Sequence, residues 1–165
     1  MAWRRRDMLV GAGAALSIAQ ASPSLARAPL TTRYGYNDAA IDWRVFEAGA
    51  RDAAKSGKPI FFLVHATWCH HCLSYRTLFF DDEVVRRLKR FTPVLVDADA
   101  QPELNKRYAP TGPYVPRTMF LDAQARLRKD LHLPYPEHEY FVDYLDGPKD
   151  LRRLLAMAEA QFFGA

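Results

Sequence analysis

The chain has 165 residues, 49% of them hydrophobic and 25% charged, with a formal net charge of +4. That length suits one ordinary domain, and that balance excludes a disordered chain. The charge is too small for a nucleic-acid binder, no basic stripe runs along the chain, and two cysteines are too few for a disulfide scaffold.

Residues 1–26 read as a secretory signal. Arg4, Arg5 and Arg6 form a charged opening, Met8 to Ala21 a short apolar stretch, and Ser24-Leu25-Ala26 a small-x-small cleavage site. Arg5-Arg6-Asp7-Met8-Leu9 also resembles a twin-arginine signal, with ordinary Sec export as the alternative. The expected location is periplasmic or secreted. Without this segment the chain holds 20 basic and 18 acidic residues, close to neutrality.

Residues 27–40, with Pro29, Gly35 and Asn37, read as an irregular lead-in to a single domain over 41–165. From Ile41 to Ser56 the residues Ile41, Val45, Phe46, Gly49, Ala53 and Ala54 recur at helical spacing, and Gly57 closes that helix. Pro59 to His65 is a continuous apolar run rich in strand formers, which suits a strand buried on both faces. The loop Ala66-Thr67-Trp68 follows, then Cys69-His70-His71-Cys72, then a helix through Leu73, Tyr75, Leu78 and Phe79. Asp81 or Asp82 is placed to cap a further helix through Val84, Val85 and Leu88. Its Arg86, Arg87, Lys89 and Arg90 read as a solvated face.

Phe91 to Val96 is a second buried-type strand. It ends in Asp97-Ala98-Asp99, whose carboxylates are expected to cap the helix that Pro102 begins. A turn-rich loop runs from Pro110 to Pro116, Arg117 to Leu121 forms a third strand, and Asp122-Ala123-Gln124 turns the chain into a fourth near Leu127 to Leu131. Residues 132–147 carry two prolines and the aromatic cluster Tyr135, Tyr140, Phe141 and Tyr144, and read as an ordered surface insertion. His132 and His138 within it receive no role. Pro148 opens a final helix with the apolar stripe Leu151, Leu154, Leu155, Ala158 and Phe162. Strands alternating with helices predict an α/β fold with a mixed central sheet covered on both faces.

The two cysteines carry the chemistry. Cys69 follows a buried strand and opens a helix, where unpaired backbone N–H groups and the helix dipole favour a thiolate. Cys72 sits one turn inside. The expected division is that Cys69 is the exposed nucleophile and Cys72, more enclosed, resolves the mixed disulfide. His70 and His71 can place positive charge beside the thiolate, which stabilises the reduced form and makes the disulfide a stronger oxidant. Two bland alternatives stand beside this one. A structural disulfide across so short a loop gains little. A zinc or copper site would need ligands beyond four adjacent residues, and no second ligand pair follows; the expectation is therefore no metal.

Trp68-Cys69-His70-His71-Cys72 after a strand, with Val115-Pro116 before another, resembles the thioredoxin superfamily. Asp42-Trp43-Arg44, Ser56-Gly57-Lys58-Pro59, Tyr114-Val115-Pro116-Arg117 and Phe120-Leu121-Asp122 are similar to the small endoplasmic-reticulum thioredoxin-domain proteins of the anterior-gradient type, over roughly residues 38–163. The resemblance implies a thioredoxin fold with a sheet of four to five strands and a cis Val115–Pro116 bond. It also implies that the Val115 backbone pairs with an extended client segment. Tyr114 and Arg117 flank the proline and are expected on the rim, while Trp68 either offers clients an apolar contact or simply packs.

Thioredoxin carries a buried aspartate six residues before its first cysteine; this chain has Leu63 there. His65, at the strand end, is the candidate proton acceptor in its place, or else a packing histidine. The reading is a thiol–disulfide oxidoreductase acting on protein cysteines, as oxidant or isomerase, with no dissociable cofactor and a membrane redox partner as a compatible companion. The alternatives are a copper or zinc carrier, a client-binding chaperone, and a dedicated reductant of one partner.

Overall fold

The computed structural model describes residues 34–135 and 137–164; the expected signal and the first half of the lead-in lie outside them. Five helices and three strands follow in order: α1 Phe46–Ser56, β1 Ile60–His65, α2 His70–Tyr75, α3 Asp82–Leu88, β2 Thr92–Asp97, α4 Pro102–Arg107, β3 Arg117–Leu121 and α5 Lys149–Phe163. A 3-10 turn, Arg76–Phe80, continues α2.

The sheet order is β2-β1-β3, with β1 parallel to β2 and antiparallel to β3. Strand β1 is central and all six of its residues are buried, as its unbroken apolar run predicts. Alternate side chains serve two cores. Phe61 and Leu63 join Leu95, Phe120 and the apolar stripe of α5, while Ile60, Phe62 and Val64 join Val94, Val96, Met119 and Ala53 of α1. Helix α1 lies so close to β2 that a Cβ on Gly49 would stand 2.3 Å from Val94 Cγ2, which leaves glycine as the residue that fits. Gly57, at φ 74°, ends α1 in the left-handed conformation.

Two expectations about elements need correction. The helix expected from Ile41 starts five residues later, because Ile41 and Trp43 are buried at a spacing of two, not at helical spacing. Arg44 there bridges to Val94 in parallel, its N–H donating to Pro93 O at 2.9 Å and its carbonyl accepting from Leu95 N at 3.1 Å.

The sheet has three strands among the described residues, not four to five. Each edge instead carries a single bridge, Arg44 with Val94 and Leu121 with Leu127. The expected fourth strand stops there because only Leu127 and Leu131 are apolar, four residues apart, and Leu131 N turns back to Arg128 O.

Residues 132–147 form neither helix nor strand among those described, yet Leu133, Tyr140 and Val142 are buried. The segment is held on β3 by Thr118 N donating to Tyr140 O at 2.7 Å. Helix α5 is tied to α3 by Arg87 with Glu159 and by Arg152 with Asp81, so part of the basic face expected to be solvated is paired. Asp81, one of the two expected caps, accepts from Val84 N at 3.0 Å.

Candidate active site

The end of β1, the start of α2 and the loop before β3 meet at Cys69. Cys69 is the N-cap of α2, and its Sγ accepts the Cys72 N–H at 3.1 Å. The sulfur also lies 3.5 Å from the carbonyl oxygen of Val115, to which a thiol donates. The Val115–Pro116 bond is cis, as the resemblance implies. Both cysteines are free thiols.

The expected contrast between an exposed and an enclosed sulfur is corrected: Cys69 is 4% exposed and Cys72 fully buried. The reason is local, since Cys69 is turned toward its own helix and covered by the cis-proline loop. Burial pushes the Cys72 thiol up, the adjacent Cys69 sulfur adds to this, and Arg76 opposes it. Cys72 is therefore held protonated in the dithiol.

The buried side of the motif is aromatic. The Tyr36 hydroxyl donates to Cys72 O at 3.4 Å, and the Tyr75 and Thr118 hydroxyls share a hydrogen bond. Burial raises both tyrosines. His65 is fully buried, edge-on to Tyr34 and Tyr36 with ring centroids 4.5 and 5.3 Å away, and neither ring nitrogen has a hydrogen-bond partner. Burial lowers it to about 4 against the opposing pull of Asp97. So weak a base draws a proton from a thiol poorly, and this environment fits the packing reading of His65.

The solvent side holds Trp68, His70 and His71, all exposed. Trp68 is 71% exposed and does not pack; its Nε1 donates to Asp99 Oδ2 at 2.7 Å. Asp97 caps a turn, not helix α4, accepting from Asp99 N and Ala100 N at 3.0 and 3.2 Å. His71 Nδ1 lies 2.6 Å from the Tyr144 hydroxyl, and its ring meets Phe141 edge to face at 6.4 Å.

Behind the proline the arrangement differs from the expected rim. Arg117 is fully buried, not on the surface. Its guanidinium donates to the carbonyls of Tyr114 and Asn105 and to the Asn105 side chain, and burial without a carboxylate partner brings it down to about 10. It holds the loop from beneath. Tyr114, half-buried, accepts the Tyr140 N–H at 2.9 Å. Val115 stays half-buried, next to the sulfur.

Sequence reasoning missed Tyr36, Arg76, Phe141 and Tyr144 as neighbours of the motif. The lone signal was the density of aromatics in residues 132–147. Among the described residues no group of three or more His, Cys, Asp or Glu side chains is arranged to hold a metal ion. A groove of about 690 Å³, floored by Ile41, Leu88 and Phe91, lies at the opposite end of the strands from the cysteines.

Residues 42–123 match the thioredoxin-like family model. Over 123 residues the chain is 28% identical to anterior gradient protein 3 of Xenopus tropicalis, covering 74% of each chain. Among solved structures it is similar to a thioredoxin from Thermus thermophilus, with a TM-score of 0.55 at 19% identity, covering 76% of this chain and 92% of the other. It is also similar to a disulphide isomerase from Xylella fastidiosa Temecula1, with a TM-score of 0.52 at 15% identity, covering 68% and 86%. These two likenesses establish the thioredoxin fold.

Proposed function

This chain carries a thioredoxin-like domain and resembles the anterior gradient proteins, and from that premise we propose that it is an exported thiol–disulfide oxidoreductase acting on protein cysteines. One observation carries the reading: the Cys69 sulfur receives the Cys72 N–H and faces the Val115 carbonyl beside the cis proline. The Cys72 N–H aims a backbone donor at the sulfur that would attack, and the Val115 carbonyl lies within reach of its thiol hydrogen. The neighbouring loop offers main-chain groups to an extended client strand.

The exchange balances as follows. In the oxidising direction a client thiolate attacks Cys69 of the Cys69–Cys72 disulfide, the S–S bond breaks, and Cys72 leaves as a thiolate that takes up a proton. A second client thiolate then attacks the client sulfur bound to Cys69. The client leaves with a disulfide, and the protein keeps two thiols and two electrons. In isomerisation the Cys69 thiolate attacks a client disulfide, and another client thiol displaces it. Cys72 rescues a stalled intermediate by attacking Cys69, a step its raised pKa makes faster as pH rises. A disulfide-bearing partner, membrane-bound or soluble, would then take the two electrons and two protons, becoming a dithiol as the Cys69–Cys72 disulfide re-forms. The reading places the protein in the periplasm or outside the cell; no helix among the described residues is long and apolar enough to cross a membrane.

Replacing the resolving sulfur, Cys72→Ser, tests this. Incubation with proteins bearing disulfides should accumulate adducts whose reducible bond maps to Cys69. A variant that gathers no adduct on Cys69, from proteins or small disulfides, contradicts the reading.

A further inference from the structure

We propose that Tyr144 is a positioning residue for the redox site, acting through His71. The inference rests on the thiol–disulfide reading and assigns a task to residues 132–147. The Tyr144 hydroxyl lies 2.6 Å from His71 Nδ1, and the rings of Tyr144 and Phe141 flank the imidazole at 6.0 and 6.4 Å. Tyr144 and Phe141 also meet edge to face at 6.1 Å. Phe141 in turn meets Tyr135 at 6.4 Å, and the Tyr135 hydroxyl donates to Asp150 on α5. A row of aromatics thus runs from a regular helix to the exposed second histidine of the motif.

A hydroxyl both donates and accepts. To a neutral His71 the Tyr144 O–H donates toward Nδ1, leaving the ring proton on Nε2. To a charged His71 it accepts from Nδ1–H, so the ring keeps its place in either state. A charge-assisted bond is the stronger of the two, so the contact would hold a charged ring more firmly than a neutral one. A charge held at this position of the motif would stabilise a Cys69 thiolate in the dithiol and make the disulfide a stronger oxidant.

The other ionisable groups on the helix of His71 are Cys69 at the N-cap, His70, Cys72 and the buried Tyr75. From residues 132–147 the groups in contact are Tyr144 and the apolar Phe141. The Asp143 carboxylate, one residue before Tyr144, is turned to Leu145 N at 2.8 Å.

The test is a double-mutant cycle on the full chain, read by the equilibrium constant with the glutathione couple. Tyr144→Phe should lower that constant, toward a less oxidising protein, about fivefold, the worth of one such hydrogen bond. In a His71→Ala background the same substitution should change nothing. A merely structural Tyr144 would give equal shifts in both backgrounds, and that result, or no shift in either, overturns the inference.

A second readout is independent of redox activity. The ring-nitrogen resonances of His71 near neutral pH should report one tautomer in the wild type and a mixture in Tyr144→Phe. Identical spectra overturn the inference even if the protein proves redox-active. A wild type that never forms a Cys69–Cys72 disulfide would instead sink the thiol–disulfide reading, and this inference with it.

Discussion

The two sides of the cysteine motif are built on opposite principles. Toward the core lie Cys72, His65, Tyr36, Tyr75 and Arg117, all buried. Toward solvent lie Trp68, His70 and His71, all exposed, with Tyr144 half-buried beside them. On the inner side protonation is set by the cost of burying charge: Cys72 and both tyrosines go up, and His65 and Arg117 go down. On the outer side little is buried, and hydrogen bonds from neighbouring loops do the placing. The inner side therefore bears on stability and on when Cys72 can react, and the proposed tuning through Tyr144 and His71 belongs to the outer side.

The largest expected effect lies beneath the proline. Arg117→Ala empties a buried site and leaves the carbonyls of Tyr114 and Asn105 without their donor. A loss of about 3 kcal/mol or more is expected in urea unfolding. A loss below about 1 kcal/mol would show that Arg117 does not hold the loop.

His65 gives a comparable but pH-dependent effect. Its folded value, about 4, is below the unfolded value of roughly 6.5. The unfolded chain therefore binds the extra proton first. Stability is fully present above about pH 6.5 and falls as pH drops toward 4, by about 3 kcal/mol across that window. His65→Leu should flatten this slope; an unchanged slope would put the inner side's logic in doubt. The smallest effect belongs to the outer side, the fivefold change expected at Tyr144, with stability nearly unaltered.

Legibility in the sequence followed the same divide. Strand β1, the cysteine motif after it, strand β3 and helix α5 were readable because each is a regular period or a fixed spacing. Ile41 to Arg44 misled because a short apolar pattern fits both periods, and Trp43, whose Nε1 donates to Tyr36 O at 2.8 Å, decides for the extended form. Leu127 to Leu131 misled because its turn returns to its own backbone. Arg117 was expected on the rim because it flanks the proline, and charged side chains are rarely buried without a partner. Here three acceptors on the loop and on Asn105 replace a counter-ion. The Tyr144–His71 contact joins residues 73 positions apart in irregular chain, and no periodicity encodes such a pair.

The most direct test of the central claim is the reduction potential of the Cys69–Cys72 pair, measured against glutathione at neutral pH. The account predicts a reversible two-electron couple clearly more oxidising than roughly −270 mV, the value of a reducing thioredoxin. A pair that forms no disulfide, or one as reducing as that value, would contradict it.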